Sequence, residues 1–179
     1  MSFDWSGKRV VVTGGAGFLG SFVQEGLAAR GVAADHIYVP RSKDFDLTTE
    51  DACRRLYQDA FGGEKVDVMI HLAAEVGGIG ANRENPGRYF YANMAMALHL
   101  IEQARLDGFA DRDAVFVQTG TICAYPNLTP VPFKEENLWN GYPEVTNAPY
   151  GVAKKAAWQM LDAYQQQYGL RGVYALPVN

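Results

Sequence analysis

The chain has 179 residues, 48% of them hydrophobic, with 16 basic and 20 acidic side chains for a net charge of -4. That length suits one ordinary α/β core, and that balance offers no basic face to nucleic acid or to an acidic membrane. Two cysteines, Cys53 and Cys123, cannot build a disulfide framework, no apolar stretch nears the roughly 20 residues a bilayer demands, and Met1–Trp5 lacks a signal pattern, so a cytoplasmic protein is expected.

In chain order, Lys8–Thr13 is a β-branched run that ends in glycines and reads as a buried strand. Phe18, Leu19, Phe22, Val23 and Leu27 recur at helical spacing between Gly17 and Arg30, and Gly31 closes that helix. His36–Val39 is a second strand. Thr48, with Asp51 three residues on, reads as the N-cap of a helix running to about Phe61. Val66–His71 is a third strand. Gly87–Asp107 predicts a long helix with little polarity on any face, so that its stretch Ala92–Ile101 should be buried on all sides. Val115–Gln118 is a fourth strand, followed by a long loop rich in Pro, Asn and Gly. Pro149 suits the first turn of a helix reaching Tyr168, with Ala153, Ala157, Met160, Tyr164 and Tyr168 on one face. Gly172–Leu176 is a fifth strand. Strand and helix alternate throughout, which predicts a single α/β domain over residues 1–179 built on a doubly wound parallel sheet.

Between the first strand and helix lies Thr13-Gly14-Gly15-Ala16-Gly17-Phe18-Leu19-Gly20. Such glycines let the backbone turn tightly and approach a pyrophosphate, which sits on the positive end of the following helix. The loop alone is a weak signal and is shared with plain glycine turns; its place in a strand–turn–helix unit makes it a dinucleotide site. Gly14, Gly17, Phe18, Leu19 and Gly20 are its candidate contacts. Sites for NAD place an acid near the end of the second strand, whereas here Val39-Pro40-Arg41-Ser42-Lys43 offers two cations. Arg41 suits a 2′-phosphate, so NADP (as NADPH) is the expected cofactor, with a solvated loop arginine as the alternative. Asp46 could reach the adenine edge, or serve helix capping alone.

Tyr150-Gly151-Val152-Ala153-Lys154 sets a phenol and an ammonium one helical turn apart. The lysine charge and the helix N-terminus should both favour phenolate and bring Tyr150 toward acid/base work. Thr121 and Cys123 follow directly on the fourth strand, where ligands bind in such sheets. Thr121 could donate to a carbonyl oxygen that Tyr150 protonates. Cys123 could exchange protons on a neighbouring carbon, or be a small buried hydrophobe. No metal is expected.

These residues resemble the extended short-chain dehydrogenase/reductases, and within them the branch that makes GDP-L-fucose by 3,5-epimerisation and 4-reduction of GDP-4-keto-6-deoxymannose. The resemblance rests on Thr13–Gly20, on His71-Leu72-Ala73-Ala74, and on Val76 through Asn82. It continues through Cys123-Ala124-Tyr125-Pro126, Asn147 through Lys154, and Pro177-Val178-Asn179. It implies that Leu72, Ala73 and Ala74 line the cofactor, that Tyr150 protonates the C4 oxygen while NADPH delivers hydride, and that Lys154 holds the nicotinamide ribose. Thr121 would bind the same oxygen, and Cys123 would be the acid/base for C3 and C5. Ile122 and Cys123 stand where dehydratase relatives carry Asp-Glu, which argues against dehydration. The resemblance also implies a second acid/base histidine and a substrate domain beyond Asn179, so residues 1–179 should be the cofactor half of a longer enzyme, with little turnover alone. A homodimer is expected, joined through the Ala92–Ile101 helix and the Tyr150 helix. Two alternatives remain: a sugar-nucleotide 3,5-epimerase without net reduction, and a non-catalytic dinucleotide-binding module.

Overall fold

A computed structural model describes residues 3–177; Val178 and Asn179 of the Pro-x-Asn motif lie outside the described residues. Five parallel strands, β1 (Val10–Thr13), β2 (Ile37–Tyr38), β3 (Val68–His71), β4 (Val115–Thr119) and β5 (Gly172–Ala175), form one sheet in the order β2-β1-β3-β4-β5. Helices α1 (Phe18–Ala28), α2 (Glu50–Asp59), α3 (Ile79–Glu84), α4 (Pro86–Leu106) and α5 (Ala148–Tyr168) supply the connections. The strand order reverses between β1 and β3, and in such sheets the crevice at that reversal takes ligands. The expected doubly wound α/β sheet is present.

Side chains alternate across the sheet, so each face has its own core. Val11, Met69 and Phe116 meet α2, α4 and α5 through Leu56, Leu100, Ile101, Ala157 and Leu161. Val10, Val12, Val68 and Ile70 meet α1 through Leu27. That second face also carries an apolar cleft of about 380 Å³ over Val68, Val115, Val117 and Val173, away from the carboxyl ends of the strands.

One expectation is corrected and two are refined. The α2 N-cap is Thr49, whose hydroxyl accepts from the Ala52 amide at 3.4 Å; Thr48 is taken up instead by the Asp46 carboxylate, which accepts from its amide at 3.0 Å and its hydroxyl at 2.7 Å. The stretch Val76–Asn82, to which the sequence assigned no element, runs into α3 at Ile79, where Gly78 ends the extended chain. Within this chain α4 is covered on one face: of the stretch Ala92–Ile101, Ala92, Met96, Leu100 and Ile101 are buried while Leu98 stands exposed, as do Phe90 and Tyr91 just before it. The helix has one face in the core and an apolar outer face that this chain does not cover.

Candidate active site

The glycine loop and the ends of the first three strands enclose a cleft of about 320 Å³ lined by Gly14, Gly17, Pro40, Arg41, Asp46, Ala73, Ala74 and, from α4, Met96. Gly14 has φ +72°, and a Cβ there would stand 2.7 Å from the Ala73 amide nitrogen, so the β1 and β3 loops can close on each other only at a glycine. The α1 N-terminus follows, with its first amides free of helical partners and available to an anion. Phe18 and Leu19 expose their side chains, so what they and Gly20 offer a ligand is backbone. Leu72 turns instead toward the α1-side core. Arg41 is exposed in the cleft wall, while Asp46 has its carboxyl held below the usual range by the Thr48 hydroxyl and amide.

Beyond β4, Thr121 caps a short 3-10 turn at Ile122–Ala124 by accepting the Cys123 amide at 3.2 Å. Cys123 is half-buried and lines a second cleft of about 250 Å³ with Ile122, Tyr125, Pro126, Phe133, Glu144 and Asn147. The first turn of α5 lies against this loop: a Cβ on Gly151 would fall 2.3 Å from the Cys123 carbonyl oxygen. That close approach brings Tyr150 beside Cys123. The loop before α5 is fastened by Glu144, which accepts from the Asn147 amide at 3.1 Å and side chain at 3.0 Å, and by Asn82, whose amide donates to Asn147 at 3.0 Å. Asn82 thus ties the Gly-Gly-Ile segment to the tyrosine helix.

The electrostatics differ from the sequence expectation. Burial, and secondarily the Cys123 thiol, push the Tyr150 phenol up to about 12, where a lowered value was expected. Lys154 does not offset this, because its Nζ lies 5.9 Å from the centroid of the Tyr150 ring and burial lowers the ammonium itself to about 8. Desolvation therefore outweighs the lysine charge and the helix N-terminus in this site. His71, fully buried at the end of β3, is held neutral well below 6.5 by burial and by the Lys154 charge. Between that depressed value and 6.5 the unfolded chain binds a proton that the folded chain does not. Stability contributed by neutral His71 is therefore present above pH 6.5 and lost as pH falls below it, by up to about 1.4 kcal/mol per pH unit. Urea unfolding from pH 6.5 to 5 should show a steeper loss in the native chain than in His71→Asn; equal slopes would show that His71 titrates normally.

Sequence reasoning missed Asn82, Glu144 and Asn147 as site supports, and Gln118 and Tyr174 altogether. Asn82 and Asn147 stood inside quoted motifs. Gln118 and Tyr174 face the site only through strand register, with Gln118 paired to His71 on one side and to Tyr174 on the other.

Among the described residues no helix is long and apolar enough to cross a membrane. The chain is 34% identical over 97% of its length to a GDP-L-fucose synthase of Escherichia coli (strain K12), covering 51% of that protein. It is 33% identical over 97% of its length to one of Sinorhizobium fredii, covering 52%. The solved structure of DdhaC superposes with a TM-score of 0.87 at 25% identity, over 96% of this chain and 47% of that one. The chain thus spans about half the length of the relatives it matches. Residues 10–179 match the model of one family along the whole sheet and both clefts, and the chain belongs to the NAD dependent epimerase/dehydratase family.

Proposed function

We propose that residues 1–179 are the cofactor half of an NADPH-dependent enzyme that epimerises C3 and C5 and reduces C4 of a GDP-4-keto-6-deoxyhexose. The observation that carries this reading is the convergence of Tyr150, Lys154 and Cys123 where α5 closes on the loop after β4, next to a cleft that opens at the strand-order reversal. The similarity to GDP-L-fucose synthases supports the choice of sugar nucleotide.

Gly14, Gly17 and the α1 N-terminus would take the pyrophosphate, Arg41 the 2′-phosphate, and Lys154 the nicotinamide ribose. NADPH, when bound, supplies the hydride. A phenol held near 12 stays protonated at neutral pH, which suits Tyr150 to donate its proton to the C4 oxygen as that oxygen gains charge. The Thr121 hydroxyl, whose oxygen already accepts from the Cys123 amide, keeps its hydrogen for the same oxygen. Cys123 exchanges the protons at C3 and C5 from the second cleft. The reading places the second acid/base and the nucleotide-reading residues in a substrate-binding half outside this chain.

Net oxidation of NADPH with GDP-4-keto-6-deoxymannose, in a protein that joins these residues to such a half, tests the assignment. Epimerised product with no NADPH consumed would replace it by the pure epimerase. Residues 1–179 alone should turn over little, and robust activity would refute the two-half reading. We also propose a homodimer through the uncovered face of α4, where Phe90, Tyr91 and Leu98 are exposed. Light scattering should give twice the mass of one chain; a monomer would sink it.

A further inference from the structure

The core face of the sheet changes character at its last residue row. Behind the apolar row of Val11, Met69 and Phe116 come Thr13, His71, Gln118 and Tyr174, placed side by side across four strands by register. Thr13, His71 and Gln118 are fully buried. A polar row in such a position needs its hydrogen bonds made, since an unpaired buried group costs about 1–3 kcal/mol.

The bonds that are made fix which atoms remain. The Ala73 amide donates to the Thr13 hydroxyl oxygen at 3.3 Å, and the Thr13 hydroxyl meets His71 Nδ1 at 2.7 Å. Nδ1 is the one acceptor that the Thr13 hydroxyl meets among the described residues, so the arrangement that satisfies the hydroxyl has it donating to Nδ1, with the hydrogen of neutral His71 on Nε2. The Gln118 side-chain amide donates to the Thr119 carbonyl at 2.9 Å, which leaves its carbonyl oxygen as an acceptor. His71 Nε2, Gln118 Oε1 and the Tyr174 hydroxyl are buried with no partner among the described residues.

Helix geometry sets Lys154 over this row. Leu161 packs on Gly172 at the start of β5, and Lys154 lies seven residues earlier on the same helix, about 10 Å back, or roughly three strand residues. That brings it to the level of Tyr174 and Ala175 at the end of β5, where Tyr174 is the register partner of Gln118. Lys154 is 2% exposed, its charge is opposed by burial with no carboxylate to offset it, and it acts on His71 directly. An ammonium and an imidazole N–H, both donors, thus lie near two unpartnered oxygens, the Tyr174 hydroxyl and the Gln118 carbonyl, of which the carbonyl can only accept.

We propose that Gln118 is a positioning residue for Lys154: its carbonyl is the acceptor that, through a bridging water, fixes the buried ammonium over the strand ends. This rests on the reading of Lys154 as the residue that holds the cofactor ribose, and it adds the group that aims it. Gln118 touches neither substrate nor cofactor and acts only through Lys154.

The test is the Lys154 titration, followed by NMR of lysine labelled at Cε in residues 1–179, with the signal assigned by its loss in Lys154→Met. His71 on β3, Tyr150 on α5 and Tyr174 on β5 face this site, and all three are held neutral from pH 7 to 10. A Cys123→Ser background removes the nearby thiol. Gln118→Met removes the acceptor at similar volume and should lower the Lys154 titration by about one pH unit; Gln118→Glu keeps the acceptor, adds charge and should raise it by at least as much. If Gln118→Met does not fold, Gln118→Leu, equally uncharged and without an acceptor, decides by the same downward shift. A Lys154 titration that Gln118→Met leaves unchanged overturns the proposal whatever Gln118→Glu does, because an added carboxylate raises a nearby ammonium through charge alone. NADPH titration of the unsubstituted chain keeps the two readings apart: failure to bind would refute the cofactor assignment and leave the titration result standing.

Discussion

Replacing Tyr150 by phenylalanine should lower the rate of 4-keto reduction by about 10²–10⁴-fold while leaving NADPH affinity within about threefold. The substitution removes one hydroxyl and keeps the ring that packs against Lys154. In the native site the phenol is protonated at neutral pH because burial holds it near 12, so it is a donor and not a base. Without it, charge developing on the C4 oxygen would meet only the Thr121 hydroxyl. Steady-state rates of NADPH oxidation on the protein that includes the substrate-binding half measure this. A loss under tenfold would mean that another group delivers the proton.

The second large effect is on the cofactor cleft. Gly14→Ala should destabilise the fold by about 2–4 kcal/mol and weaken NADPH binding at least tenfold. The backbone at Gly14 is left-handed, at φ +72°, which costs a residue with a Cβ about 1–2 kcal/mol. The added methyl would also stand 2.7 Å from Ala73 N and 2.9 Å from Ala73 Cα, main-chain atoms that cannot rotate away. The loop that would have to move is held by the Leu72 amide donating to the Thr13 carbonyl at 3.1 Å and by the Ala73 amide on the Thr13 hydroxyl. Gly26→Ala is the internal control. It sits within α1, its Cβ would meet only the far end of the Arg30 side chain at 3.4 Å, and the change should stabilise by up to about 1 kcal/mol. Urea unfolding of the two variants measures the contrast; equal effects would show that the close approach at Gly14 is not what positions the loop.

Much of this arrangement was legible in the sequence because it is local. Val10–Thr13 and Val68–His71 are apolar runs of the kind that only a buried parallel strand accommodates, and the glycine loop declares its own turn. The Tyr-Lys spacing places both side chains on one helix face without further information. What was not legible depends on partners distant in sequence. Thr48 and Thr49 are equally good caps on paper, and the choice between them was made by Asp46, whose carboxylate takes Thr48. The sign of the Tyr150 shift follows from how closely Gly151 lets α5 approach the Cys123 backbone, a distance no periodicity encodes. Gln118 and Tyr174 join the site through the register of β3, β4 and β5, so neither carries a motif. The apolar all-round reading of α4 was correct in composition, but which of its faces the chain itself covers depends on the packing of α2 and α5 and leaves Leu98 exposed.

The claim on which the rest depends is that the cleft between Gly14, Arg41 and Ala73 is an NADPH site. Isothermal titration of residues 1–179 with NADPH and with NADH, repeated on Arg41→Ala, tests it most directly. The account predicts that NADPH binds tighter than NADH and that Arg41→Ala removes the preference by about tenfold, the worth of one exposed charge-assisted contact to a 2′-phosphate. Equal affinity for the two cofactors in the native chain, or binding of neither, would contradict it.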